Sequence, residues 1–121
     1  MLNPQHRRYA ERLRELIDEG QAVVKLEKPS SVGPYIQDED SIPLQAWLTK
    51  VGNIIETVFG LQSPHYRHLK ELMPKGGVRF VQHSYDIHPI IGLLTGALDD
   101  LEKGYLLGQE FLIAGEIFDS V

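Results

Sequence analysis

Between residues 44 and 59 eight large apolar side chains recur at helical spacing, and no other feature of the chain constrains its fold as strongly. Leu44, Trp47, Leu48, Val51, Ile54, Ile55, Val58 and Phe59 share roughly 140° of a wheel drawn at ~100° per residue, with Lys50, Asn53, Glu56 and Thr57 outside it. A stripe that wide is stable in water only when other elements cover it. Ser41 is placed to cap this helix, with Pro43 in its first turn. Gly60 is the expected left-handed terminator.

The covering elements are also helical. Asn3-Pro4 opens a helix expected over residues 4 to 26. Its apolar face is Tyr9, Leu13, Leu16, Ile17, Gly20, Val23 and Val24, with Gly20 as a weak point. Ser63-Pro64 repeats the cap-plus-proline opening for a short helix to about Met73, with Tyr66, Leu69, Leu72 and Met73 facing inward. Asp86 and Pro89 open a further helix with Ile90, Ile91, Leu93, Leu94, Ala97, Leu98 and Leu101 as its core face, ended by Gly104. A last helix is expected from Tyr105, with Leu106, Leu107, Phe111, Ala114, Ile117, Phe118 and Val121 on one face. It reaches Val121 still in period, so we expect the natural chain to continue or this end to pack on another chain.

Two stretches break the pattern. Lys28 to Ser41 holds Pro29, Gly33, Pro34 and Asp38-Glu39-Asp40, and reads as a mobile surface loop. The alternative is a lid or partner-binding strap, with Tyr35 and Ile36 as apolar anchors. Val78 to Tyr85 mixes β-formers with polar residues, and without a partner strand it reads as a loop or a short edge strand.

The expected fold is therefore all-α, one domain over residues 1–121 with four to five helices packed as antiparallel hairpins and a long loop near residues 28–41. The chain has no cysteine, which excludes disulfides, thiolate metal sites and a Cys nucleophile. Lys and Arg number 12 against 17 Asp and Glu, a net charge of −5, which argues against whole-surface nucleic-acid binding. The arginine-bearing N-terminus lacks the apolar core of a signal peptide, and no apolar run approaches the ~20 residues of a membrane span. A cytoplasmic location is the default.

The run from Ile90 to Leu106, leading to Ala114-Gly115-Glu116-Ile117-Phe118, resembles the latter part of an N-terminal helical module in uncharacterised bacterial proteins. The Trp47 helix and Ser63-Pro64-His65-Tyr66 fit the same resemblance, which covers about residues 44 to 121. Longer members of that group continue into a helical, HEPN-like domain. The resemblance implies that any nuclease chemistry lies beyond Val121. The HEPN signature, an Arg and a His with four to six residues between them, has no match here, since the nearest pair, Arg79 and His83, has only three between.

Residues that could carry chemistry are few. His65, His68, His83 and His88 cluster in sequence, and His65 and His68 share a helix face, as do His68 and Glu71. They are the candidate metal ligands, although no H-E-x-x-H is present and only one pair resembles the Glu-x-x-His of di-metal bundles, in reversed order. Arg67, Lys70, Lys75 and Arg79, interleaved with Tyr66 and Phe80, form a candidate nucleic-acid patch. The plainer reading of the charges is internal. Residues 86–121 hold seven acids against Lys103 alone, and the arginine-rich N-terminal helix can attract them. Glu110 falls inside the apolar arc of the last helix and is the candidate for a perturbed carboxylate. Neither a phosphate loop nor a nucleophile elbow is present.

The expected function is thus non-enzymatic, with no cofactor: a helical interaction or regulatory module that self-associates as a homo-oligomer or docks a following effector domain. Trp47, Phe111, Phe118 and Val121 are its candidate interface anchors, with the core as the competing place for the aromatics. The alternative is a nucleic-acid-processing or metal-dependent hydrolytic domain using His65, His68, His83 and His88.

Overall fold

The computed structural model describes residues 4–31, 33–73 and 83–103. Four helices lie among them: α1 (Pro4–Val24), α2 (Ser41–Phe59), α3 (Pro64–Leu72) and α4 (Ser84–Lys103). The fold is a small all-α bundle with no strand among the described residues, only a single antiparallel bridge between Lys28 and Tyr35. In it α1 packs on α2 and α4, and α3 packs on α2 and α4. The stripe of α2 is buried throughout, with Trp47, Val51 and Ile55 at 0% exposure. It joins Leu13 and Leu16 of α1, Leu69 of α3 and Ile87, Ile90, Leu94 and Leu101 of α4 in one continuous core.

Contacts fix the helix directions. Arg14 pairs with Glu102 at 2.8 Å and Glu27 meets Ser84 at 2.6 Å, so α1 and α4 run antiparallel. His65 of α3 pairs with Asp100 near the far end of α4, and Leu72 and Pro89 line the same cleft, so these two are antiparallel as well. The Arg14–Glu102 pair is a direct instance of the expected attraction between the arginine-rich helix and the acids at the other end of the chain.

Local signals held where the partners are near in sequence. Ser63 caps α3, its hydroxyl accepting from the Tyr66 amide at 3.0 Å, and Pro64 is the first helical residue. Three expectations need correction. Ser41 does not cap α2. Asp40 occupies the cap position without a side-chain cap bond, and its carboxylate instead meets the Lys28 ammonium at 3.1 Å. Gly60 has a positive φ of 89°, but its ψ of 160° is extended rather than left-handed helical. The helix expected to open at Asp86 and Pro89 starts at Ser84, and Pro89 lies inside it. The Glu27 carboxylate accepts from both the amide (2.6 Å) and the hydroxyl (3.0 Å) of Ser84, so the cap comes from the far side of the chain.

The described residues of the loop after α1 are tied to the bundle rather than free of it. Lys28 and Tyr35 exchange two backbone hydrogen bonds at 3.0 Å, and Ile36 is buried in the core. His83 bonds the Pro34 carbonyl through Nδ1 at 2.8 Å and stacks on Tyr85. Residues 78–82 and the expected helix from Tyr105 lie outside the described residues. No described helix is long and apolar enough to cross a membrane.

Candidate functional site: the cleft between α3 and α4

Three glycines explain how the bundle closes on one side and stays open on the other. Gly20 of α1 faces Trp47, whose indole N–H donates to the Leu16 carbonyl at 2.8 Å. A Cβ on Gly20 would sit 2.5 Å from Trp47 Cζ2 and 3.0 Å from Ile91 Cγ1. Gly20 is therefore a close-approach site and not merely a weak point in a helix. Trp47, expected among the interface anchors, is sealed in this contact and cannot serve as one, because its ring is enclosed and its N–H is spent.

On the other side α3 leaves part of α4 uncovered. An open cleft of about 520 Å³ lies between them, lined by Pro64, His65, His68 and Leu72 of α3 and by Pro89, Gly92, Leu93, Gly96, Ala97 and Asp100 of α4. Gly92 and Gly96 are one helical turn apart on the floor. Both are exposed, and a Cβ on either would meet nothing within 4 Å. The lining is mainly apolar, and its polar members are the two imidazoles and one carboxylate.

His65 is held rather than poised. Its ring stacks on Phe59 with centroids 4.0 Å apart, and its Nε2 lies 2.8 Å from Asp100 Oδ2. The side chain is 9% exposed. The pair ties the start of α3 to the end of α4, and no nucleophile stands beside it among the lining residues. His68 shares the cleft wall with His65, as their spacing implied, while Glu71 does not join the lining.

The four candidate imidazoles do not converge. His83 immediately precedes α4 and bonds Pro34, whereas His65 meets Asp100, sixteen residues into the helix from Ser84. At ~1.5 Å per residue that separates them by roughly 24 Å along α4. His88 is exposed. Among the described residues no group of three or more His, Asp or Glu is gathered as a metal site would need. Of the basic candidates, Arg67 and Lys70 are exposed on α3, with Lys70 over the Tyr66 ring at 5.6 Å. Lys75, Arg79, Glu110, Phe111, Phe118 and Val121 lie outside the described residues.

Sequence reading missed the floor of the cleft. The signal was present in Gly92-Leu93-Leu94-Thr95-Gly96, two glycines four residues apart, a spacing that lets another backbone come close. Whether that face is covered depends on where α3 lies, which the spacing does not encode. No family model matches the chain, and neither does any curated protein or solved structure.

Proposed function

We propose that this chain is a non-enzymatic helical interaction module that buries a helix face in the α3–α4 cleft. The face belongs either to a second copy, giving self-association, or to a following effector domain. The observation that carries the reading is the pair of exposed glycines over which nothing described packs. Each is worse than alanine by about 1 kcal/mol in a helix interior. Uncovered, they are a cost without return; beneath a second helix they admit close packing. The ionisable residues support the same view. His65, Asp100, Glu27, Glu19, Lys50, Arg14 and Glu102 are engaged in contacts that join elements of the bundle, which leaves an apolar surface as the distinctive one. Burial of that surface stabilises a contact by ~25 cal/mol per Å² of apolar area, less the cost of association.

Filling the cleft tests this. In the Gly92→Leu/Gly96→Leu double variant a docked helix is displaced, so the midpoint of thermal unfolding falls. If light scattering shows a wild-type mass that grows with concentration, that growth is lost as well. Were nothing docked there, leucine's better helix propensity would raise the midpoint, and that result overturns the reading. Salt-sensitive binding of a generic RNA, or a thermal shift on Zn²⁺ or Mn²⁺, would favour the hydrolytic alternative instead.

A further inference from the structure

We infer that the helix docked over the cleft floor is α4 of a second copy, laid antiparallel on the first about a two-fold axis at the level of Leu94. This rests on the docking reading above and names its partner and orientation.

The cleft floor is the middle of a longer surface. Tyr85, Pro89, Gly92, Gly96, Asp99 and Lys103 are all exposed. At ~100° per residue these six share roughly 80° of α4, on the side opposite Ile90, Leu94 and Leu101 of its core face. From Tyr85 to Lys103 the stripe runs about 27 Å, nearly the whole helix.

The stripe is symmetric about its own centre. Tyr85 and Lys103 lie nine residues either side of Leu94, Pro89 and Asp99 five, and Gly92 and Gly96 two. A two-fold at that level brings each member of a pair level with the other member on the partner, at both ends at once, which is the condition for a self-complementary interface. The glycines meet in the middle, where bare backbone on both sides lets the helices cross closely. The ends match in chemistry as well. Tyr85 is 68% exposed, and its ring is held by stacking on His83 at 4.7 Å. Its open face receives the ammonium of the partner's Lys103, a cation–π contact. The Asp99 carboxylate, 3.1 Å from Lys103 in its own chain, meets the partner's His88. His88 is exposed and lies within about 20° of Asp99 around the helix, and a two-fold across the seam keeps both on the same flank.

Charge selects the direction. A parallel pair would set Asp99 on Asp99 and Lys103 on Lys103, with two helix dipoles side by side in the same sense. The antiparallel pair removes all three repulsions. The other acids at this end are engaged within the chain, Asp100 with His65 and Glu102 with Arg14, which leaves Asp99 and Lys103 to the partner. The same symmetry argues for a copy over a foreign domain, because a surface that matches its own reverse is of use only to itself. The contact is small. A face about 27 Å long and ~10 Å wide covers roughly 300 Å² on each copy. That is under half of the ~800 Å² per partner in a standard interface, so the pair is weak and reversible.

The chain has no cysteine, so introduced thiols report without background. His88→Cys and Asp99→Cys full chains, each exposed at the substituted site, are equilibrated in a glutathione buffer at high protein concentration, singly and as an equal mixture, and the disulfide-linked dimers are read by intact mass. The antiparallel two-fold sets position 88 within about 1.5 Å, along the axis, of position 99 on the partner. It keeps the two copies of position 88 about 18 Å apart and those of position 99 about 15 Å apart, beyond the ~7 Å between Cα atoms that a disulfide spans. The mixture should therefore give the mixed dimer in about tenfold excess over either homodimer, where random pairing gives roughly twofold. Gly52→Cys mixed with Asp99→Cys is the control and should pair at random, because Gly52 lies on α2. Homodimers of His88→Cys in excess would make the pair parallel and overturn the inference. A random share, or no linked dimer, overturns it too. The midpoint shift on filling the cleft is read separately at the same protein concentration. If that midpoint falls while no mixed excess forms, docking stands and only the identity or orientation of the docked helix is wrong.

Discussion

A methyl group placed on Gly20 would collide with the Trp47 ring at 2.5 Å; the same group on Gly96 would touch nothing within 4 Å. Both glycines sit inside long helices, where glycine is disfavoured. On the α1 side the cost is offset by a close crossing in which an indole fits against backbone and hydrogen-bonds the Leu16 carbonyl. On the α3 side nothing described offsets it. The contrast teaches that a helical glycine gains meaning only from what stands opposite. In one bundle the same residue marks a finished interface and an unfinished one.

The comparison can be broken first at its closed side. Trp47→Ala removes the largest fully buried side chain and leaves the Leu16 carbonyl without its partner. We expect a loss of about 3–5 kcal/mol in chemical denaturation, enough to unfold a marginal domain of this size. An unchanged midpoint would mean that the crossing is not where the stability resides. Gly20→Ala attacks the same contact by overfilling it. Because the ring is held by its N–H bond, the clash is not relieved cheaply, and a loss of about 1–3 kcal/mol should outweigh the gain in helix propensity. Gly52→Ala, in open space on α2, should do the reverse and stabilise by roughly 0.5–1 kcal/mol. If both alanines stabilise, the steric distinction between the two kinds of glycine is wrong.

The long-range cap sharpens the comparison from the end of α4. Glu27→Ala should cost about 1 kcal/mol and speed amide exchange in the first turn of α4, near Ser84 and Tyr85, with little change at Leu101. Uniform exchange along the helix would show that Glu27 is not a local cap. The smallest effect concerns pH. Burial lowers the pKa of His6 from its ordinary value of 6.5, so the folded chain binds that proton less readily than the unfolded chain. Its contribution to stability is full above about pH 6.5 and is lost as pH falls through the lowered value. A His6→Gln chain should therefore show a flatter profile on acidification from about pH 7.5 than the parent; parallel profiles would refute this.

How far the sequence could be read depended on the distance between partners. The α2 stripe from Leu44 to Phe59 and the α3 cap at Ser63 were legible because each obeys rules acting within one or two turns. The start of α4 was not. Its first amide is satisfied by Glu27, 57 residues earlier, and no local pattern announces such a donor–acceptor pair. For the same reason Ser41 looked like a cap and was not, since Asp40 took that position while its own carboxylate went to Lys28. Of the site, the shared face of His65 and His68 followed from their spacing. That His65 would be stacked on Phe59 and tied to Asp100, with His83 held far away by Pro34, did not.

The order of hydrophobic and polar residues was sufficient to determine that this chain folds as helices, which faces turn inward and that it has no thiol chemistry, because periodicity and composition are properties of the chain alone. Only the tertiary structure decided that Gly20 is filled against Trp47 while Gly92 and Gly96 floor an open cleft. Steric room is a relation between surfaces brought together from distant parts of the chain, and it does not exist until they pack.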